Sequence, residues 1–384
     1  MKTLIIVIDS FGIGEMPDAN DFGDVGSNTL KNIYNTVGVN LPNMASLGLY
    51  NVEGVNLPYE GKVVGNYARL EEKTHAKDTT AGHYEMMGIV LEKPYPTFPE
   101  GFPADFVKLL EEKCGIEFLG NCVASGTEII NRLGKQSIEE KKAILYTSAD
   151  SVLQVACHDS VLPLEELYRV CATCRELSTG DYNVGRIIDR PFTTEADGTF
   201  KRTEDRKDYA LCPPTKSALD FFKEAGYDVV GVGKIEDIFQ WQGITESYHT
   251  KNNEQGLEKS IELSKSDKNG IIFINLVDTD MLFGHRNDAQ GYATALEYID
   301  SKLPEIMENL NEEDILIVTA DHGCDPTTVS TDHSREYVPM LVYSKSFKQG
   351  VDLKTLKGFD TISNNLLCYY GVNEGNSIFD ELKK

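Results

Sequence analysis

Four short, β-branched apolar runs, at residues 4–8, 228–233, 270–276 and 314–319, leave this chain little choice of architecture. A strand with one wet face alternates polar and apolar positions; these runs do not alternate, so both of their faces must be covered. The stretches at 216–225, 256–263 and 289–309 read as helices between them. Strands alternating with helices build a mostly parallel sheet flanked by helices, so the expected class is α/β.

The middle of the chain breaks this rhythm. Four prolines fall within residues 93–103, and a second proline-marked junction follows at 212–215. Between them the sequence has its own alternation, with helices expected at 105–113 and 163–177 and short strands at 143–147 and 185–188. A chain of 384 residues can bury two cores. We expect residues 1–93 and 211–384 to form a discontinuous core, and residues 94–210 a smaller α/β cap domain inserted into it.

Charge and cysteine usage narrow the possible partners. Sixty-one acidic against 37 basic residues give a net charge of −24, a surface that repels nucleic-acid phosphates and anionic membranes. A small phosphorylated ligand remains compatible if metal ions or a few Arg and Lys groups reverse the field locally. The eight cysteines are scattered. Cys171 and Cys174 form a CxxC pair, but within a helical stretch and without a second pair nearby, so reduced thiols and a cytoplasmic location are expected. The first apolar run is too short for a signal peptide or membrane span.

Three of the runs lead into acids: Asp9 after the first, Asp278 and Asp280 (with His285) after the third, and Asp321-His322 after the fourth, with Asp332-His333 beyond. The carboxyl ends of parallel strands are where such sheets bind ligands. Singly these residues are ordinary, since an Asp after a strand often caps a helix and an Asp-His pair is often a turn. Together, carboxylates and imidazoles suit Zn²⁺, Mn²⁺ or iron. Three of each suffice for two ions, the usual clamp for a transferring phosphoryl group. A nucleophile is available at Thr79-Thr80, in the polar loop 77–85. The plain alternative is a hydroxyl cap on a helix, supported by Glu85.

The segments 7–14, 77–83, 280–286, 319–323 and 331–339 together resemble those of bacterial phosphopentomutases (phosphodeoxyribomutases) of the alkaline phosphatase superfamily. The likeness covers nearly the whole chain. It implies an alkaline-phosphatase-like core carrying a cap, and two Mn²⁺ ions, with Zn²⁺ or another divalent ion left open. Asp9, Asp321 and His322 would hold one ion, and Asp280, His285 and His333 the other. Thr79 would be the phosphorylated nucleophile between them, Asp150 would contact the sugar, and Arg186, Arg202 and Lys234 would take the distal phosphate. The implied reaction interconverts α-D-ribose 1-phosphate and D-ribose 5-phosphate, and the 2-deoxyribose pair, through phosphothreonine and a pentose 1,5-bisphosphate. A sugar 1,6- or 1,5-bisphosphate would prime it. The implied partners are small pentose phosphates, with no nucleic acid and no membrane, and a monomer is expected. A metal-dependent phosphomonoesterase of the same superfamily is the nearest alternative; a non-catalytic binding protein is the other. Two positions depart from the family pattern: Ala81 stands where a Thr is common, and Asp189 where a small residue is usual.

Overall fold

The computed structural model describes residues 1–93, 95–148 and 151–384. The chain divides into two compact units, Met1–Pro94 with Cys212–Lys384, and Tyr95–Leu211. In chain order the strands among the described residues are β1 (Lys2–Ile8), β2 (Asn66–Glu71), β3 (Phe118–Val123), β4 (Ala143–Thr147), β5 (Val152–His158), β6 (Arg186–Thr194) and β7 (Phe200–Arg202). They continue as β8 (Asp208–Ala210), β9 (Asp228–Val232), β10 (Glu246–Tyr248), β11 (Gly270–Leu276), β12 (Ile315–Thr319), β13 (Val338–Tyr343) and β14 (Asp352–Lys357).

The larger unit is built on one sheet in the order β10-β9-β11-β1-β12-β13-β2-β14. The first five strands are parallel. They contain the four apolar runs, and every residue of β1, β11 and β12 is buried. β1 lies between β11 and β12, with Ile8 level with Leu276 on one side and Val7 level with Thr319 on the other. This register brings the residues after three strands, Asp9, Asp280 and Asp321, to one rim of the sheet. The remaining strands form a mixed extension, in which β13 pairs antiparallel with β12 and β2, and β14 pairs parallel with β2.

The smaller unit has its own sheet, β3-β4-β5-β6-β7, with β8 also pairing β6. Alternate residues of β4 face opposite cores: Leu145 packs with Phe106, Leu153 and Val170, and Ile144 with Ile129, Tyr146 and Phe192. The short strand expected at 185–188 is in fact the nine-residue β6, which continues through Pro191. Pro191 is tolerated because β8 pairs with residues 186–188 and β7 with residues 192–194, leaving it in the gap between two antiparallel partners. Cys171 and Cys174 are buried free thiols in the helix Leu164–Leu177. Among the described residues, no helix of either unit is long and apolar enough to cross a membrane.

Candidate metal centre

Local backbone at each strand end fixes the direction of the acids. After β1 the chain turns through Ser10, whose φ of 68° is in the left-handed region that non-glycine residues rarely occupy. The turn holds because the Ser10 N–H donates to Asp321 Oδ1 at 3.0 Å and its hydroxyl meets the Tyr292 hydroxyl at 2.9 Å. Asp280 sits in a single π-turn, Thr279–Phe283, a form that recurs at functional sites. The Thr279 hydroxyl ties that turn to the first strand by donating to the Asp9 carbonyl at 2.6 Å.

The histidines are oriented from behind. His285 Nδ1 faces the Thr331 carbonyl at 2.7 Å, His333 Nδ1 the Lys77 carbonyl at 2.8 Å, and His322 Nδ1 the Gly323 carbonyl at 3.0 Å. A carbonyl only accepts, so each Nδ1 carries the proton and each Nε2 is directed forward for ligation. His333 Nε2 and His285 Nε2 lie 3.1 Å apart, and each is 3.3 Å from an Asp280 oxygen. His322 Nε2 is 3.4 Å from Asp9 Oδ1 and 3.4 Å from Asp321 Oδ2. The His322 and His333 rings stack at 3.9 Å.

Three triads therefore have ligand atoms within 4.8 Å of one another: Asp9, Asp321 and His322; Asp280, His322 and His333; and Asp280, His285 and Cys324. Asp9 Oδ1, Asp280 Oδ1 and Asp321 Oδ2 are buried and accept no hydrogen bond, an arrangement that is costly unless a cation satisfies it. The donor set fits divalent metal. The electrostatics agree, since burial and the neighbouring Asp321 charge push the Asp9 carboxyl up. Burial opposes ionisation of Asp321 as well, but the His322 and His83 imidazoles outweigh it and hold that carboxyl at about 2. The hydrogen bond to Asp280 raises His285 to about 9, against the effect of burial.

Thr79 opens the helix Thr79–Met86, and its hydroxyl lies 3.2 Å from His322 Nε2. The sequence left open a hydroxyl cap assisted by Glu85. Instead, Asp78 caps the helix by accepting the Ala81 N–H at 3.1 Å. Glu85 is turned away and accepts N–H groups from Lys73, Thr74 and Phe359. Thr79 is thus released from capping and points into the acid–imidazole cluster. Gly82 lets the helix lie on the next segment, since a methyl there would overlap the Asp321 carbonyl.

Three further residues complete the surroundings, and the sequence did not single them out for these roles. His83 Nδ1 lies 2.8 Å from the Thr79 carbonyl and 3.3 Å from Asp321 Oδ2, linking the Thr79 helix to the acid–imidazole cluster. Its spacing of four from Thr79, one helical turn, is the only sequence signal. Arg335, 1% exposed, donates to Asp18, Glu72 and the Thr74 and Ala76 carbonyls, so it ties the His333 loop to the approach of the Thr79 helix. Cys324 joins Asp280 and His285. Of the remaining expected residues, Asp150 lies outside the described residues. Arg186 begins β6 and Arg202 ends β7, both in the smaller unit. Lys234 belongs to the larger unit, directly before the helix Ile235–Phe239. Asp189 is buried in β6, where its Oδ1 accepts the Lys207 N–H at 2.8 Å and burial pushes the carboxyl up to about 6.

The chain matches the metalloenzyme superfamily over residues 1–374. It is 53% identical over 368 residues to a phosphopentomutase of Clostridium kluyveri, covering 95% of this chain and 94% of that one. It is 51% identical over 391 residues to a phosphopentomutase of Carboxydothermus hydrogenoformans, covering 100% of both. Among solved structures, a Pyrococcus horikoshii protein aligns with a TM-score of 0.50 at 16% identity, over 97% of this chain and 98% of that one, a likeness of fold alone.

Proposed function

Because the chain belongs to the phosphopentomutase family, within the alkaline-phosphatase-like metalloenzyme superfamily, we propose that it interconverts α-D-ribose 1-phosphate and D-ribose 5-phosphate, and the 2-deoxyribose pair. The enzyme class is an isomerase acting as an intramolecular phosphotransferase. The observation that carries the reading to a mechanism is the Thr79 hydroxyl, free of capping and 3.2 Å from His322 Nε2.

In this reading Asp9, Asp321 and His322 hold one divalent ion and Asp280, His285 and His333 a second, with Mn²⁺ our assignment. Such ions, when bound, neutralise phosphoryl oxygens and lower the pKa of a nearby hydroxyl. Thr79 Oγ1 carries the phosphoryl group in the resting enzyme, at the positive end of its helix. A sugar hydroxyl attacks that phosphorus, the Oγ1–P bond breaks, and a pentose 1,5-bisphosphate forms. The reverse transfer from the other sugar oxygen returns a phosphoryl group to Oγ1 and releases the isomer. A sugar bisphosphate primes a dephosphorylated enzyme by the same transfer. We assign Asp150 to the sugar and Arg186, Arg202 and Lys234 to the distal phosphate, where guanidinium forks and an ammonium offset the acidic surface. Water must be excluded during transfer, because hydrolysis of the phosphothreonine would end the cycle.

Mass spectrometry of the purified enzyme should find phosphate on Thr79, and Thr79→Ala should abolish interconversion. Full turnover by Thr79→Ala would remove the nucleophile assignment. Release of inorganic phosphate as fast as the sugar phosphates interconvert would instead make the protein a phosphomonoesterase.

A further inference from the structure

Cys324 brings a thiol into the metal centre that the six-ligand assignment leaves out. It lies two residues beyond His322, is 1% exposed, and is held by its backbone N–H, which donates to the Ser10 carbonyl at 3.1 Å. Its Sγ, an Asp280 carboxylate oxygen and a His285 ring nitrogen all fall within 4.8 Å of one another. Asp280 Oδ1 is buried and accepts no hydrogen bond. The sulfur's own contact is a weak one, to the Asp332 carbonyl at 3.5 Å. Room for it is made by Gly284, where a Cβ would stand 2.9 Å from Sγ. A glycine placed directly before His285 therefore allows the thiol to approach the two ligands.

We propose that Asp280, His285 and Cys324 form an alternative ligand set at this position, selected by thiophilic divalent ions. Zinc-type ions bind sulfur at about 2.3 Å and imidazole nitrogen at about 2.0–2.1 Å. The donors lie within 4.8 Å of one another, so closing on one ion requires their side chains to rotate inward. As the sulfur–metal bond forms, the thiol proton leaves to solvent and the bond to Asp332 is given up. Ions that prefer oxygen and nitrogen take Asp280, His285 and His333 and leave the thiol protonated. The identity of the ion thus decides which ligand set closes, and Cys324 sets how strongly soft ions compete with Mn²⁺.

This inference rests on the metal-centre reading, and cobalt separates the two. Protein loaded with Co²⁺ and dialysed is expected to retain cobalt and to show a near-ultraviolet sulfur-to-cobalt charge-transfer band. Cys324→Ser should retain cobalt but lose the band, and Cys324→Ala should behave alike if serine disturbs the turn. In parallel, direct binding measurements should show the Cd²⁺-to-Mn²⁺ affinity ratio falling at least about tenfold in either variant. Cobalt bound without the band, or a band that persists in both variants, overturns this inference and leaves the metal centre standing. Wild-type protein that retains no cobalt overturns both.

Discussion

Metal-ligating histidines almost always commit the other ring N–H to an acceptor, and His285, His322 and His333 each do so through a backbone carbonyl. The sequence pointed to these three because Asp321-His322 directly follows an apolar run, His285 follows Asp280, and His333 lies eleven residues beyond His322. It did not point to Arg335 or Cys324, whose partners lie far off in the chain: Arg335 and Glu72, for example, are 263 residues apart; His83 showed only its spacing of four from Thr79. The consequence of Asp189 was also hidden, since a sequence marks a carboxylate but not its burial. Its folded pKa of about 6 stands above the unfolded value. The stability this group contributes is therefore fully present below about pH 4 and is lost as pH rises through about 6. Asp189→Asn keeps an oxygen for the Lys207 N–H and removes the ionisation. The variant should be more stable than wild type by about 1–3 kcal/mol near pH 8 and equal to it near pH 4. Thermal unfolding at the two pH values measures this; a variant with no advantage at the higher pH would rule the account out.

At the level of elements, helix propensity and packing make opposite forecasts for Gly82. Inside a helix, alanine is favoured over glycine by about 1 kcal/mol. The Asp321 carbonyl occupies the space a methyl would need, and Asp321 is itself buried, two residues beyond the fully buried β12. Packing should win. Gly82→Ala is expected to displace the Thr79 helix from the ligands and to lower metal affinity by about tenfold or more, with helical content by circular dichroism unchanged. Equilibrium dialysis that finds wild-type affinity would show that the helix can shift without cost. The strands followed the same logic of local against distant signal. Parallel strands β1, β9, β11 and β12 were readable because burial on both faces makes them uniformly apolar. β2 and β14 carry polar residues, and β6 contains a proline whose tolerance depends on where β7 and β8 end.

For the molecule as a whole, the metal centre is a charge problem as well as a catalytic one. Asp9, Asp280 and Asp321 converge in a chain that already carries −24, and cations relieve their mutual repulsion. A ligand present at 100 times its dissociation constant stabilises the native state by about 2.7 kcal/mol. Chelation should accordingly lower the melting temperature, and added Mn²⁺ should restore it; identical melts with and without chelator would sever metal binding from stability. The sheet order has a further consequence, for the chain while it is being made. β1 is synthesised before both of its neighbours, β11 and β12, which begin 268 and 313 residues later (270 − 2 and 315 − 2). At ribosomal speeds of roughly 5–20 residues per second, this fully buried strand waits about 15–60 s for its neighbours. The strands of Tyr95–Leu211 pair only with one another and need no such wait. Asp9 and His333 are 324 residues apart in the chain (333 − 9), so a nascent chain cannot assemble the acid–imidazole cluster until His333 has been translated.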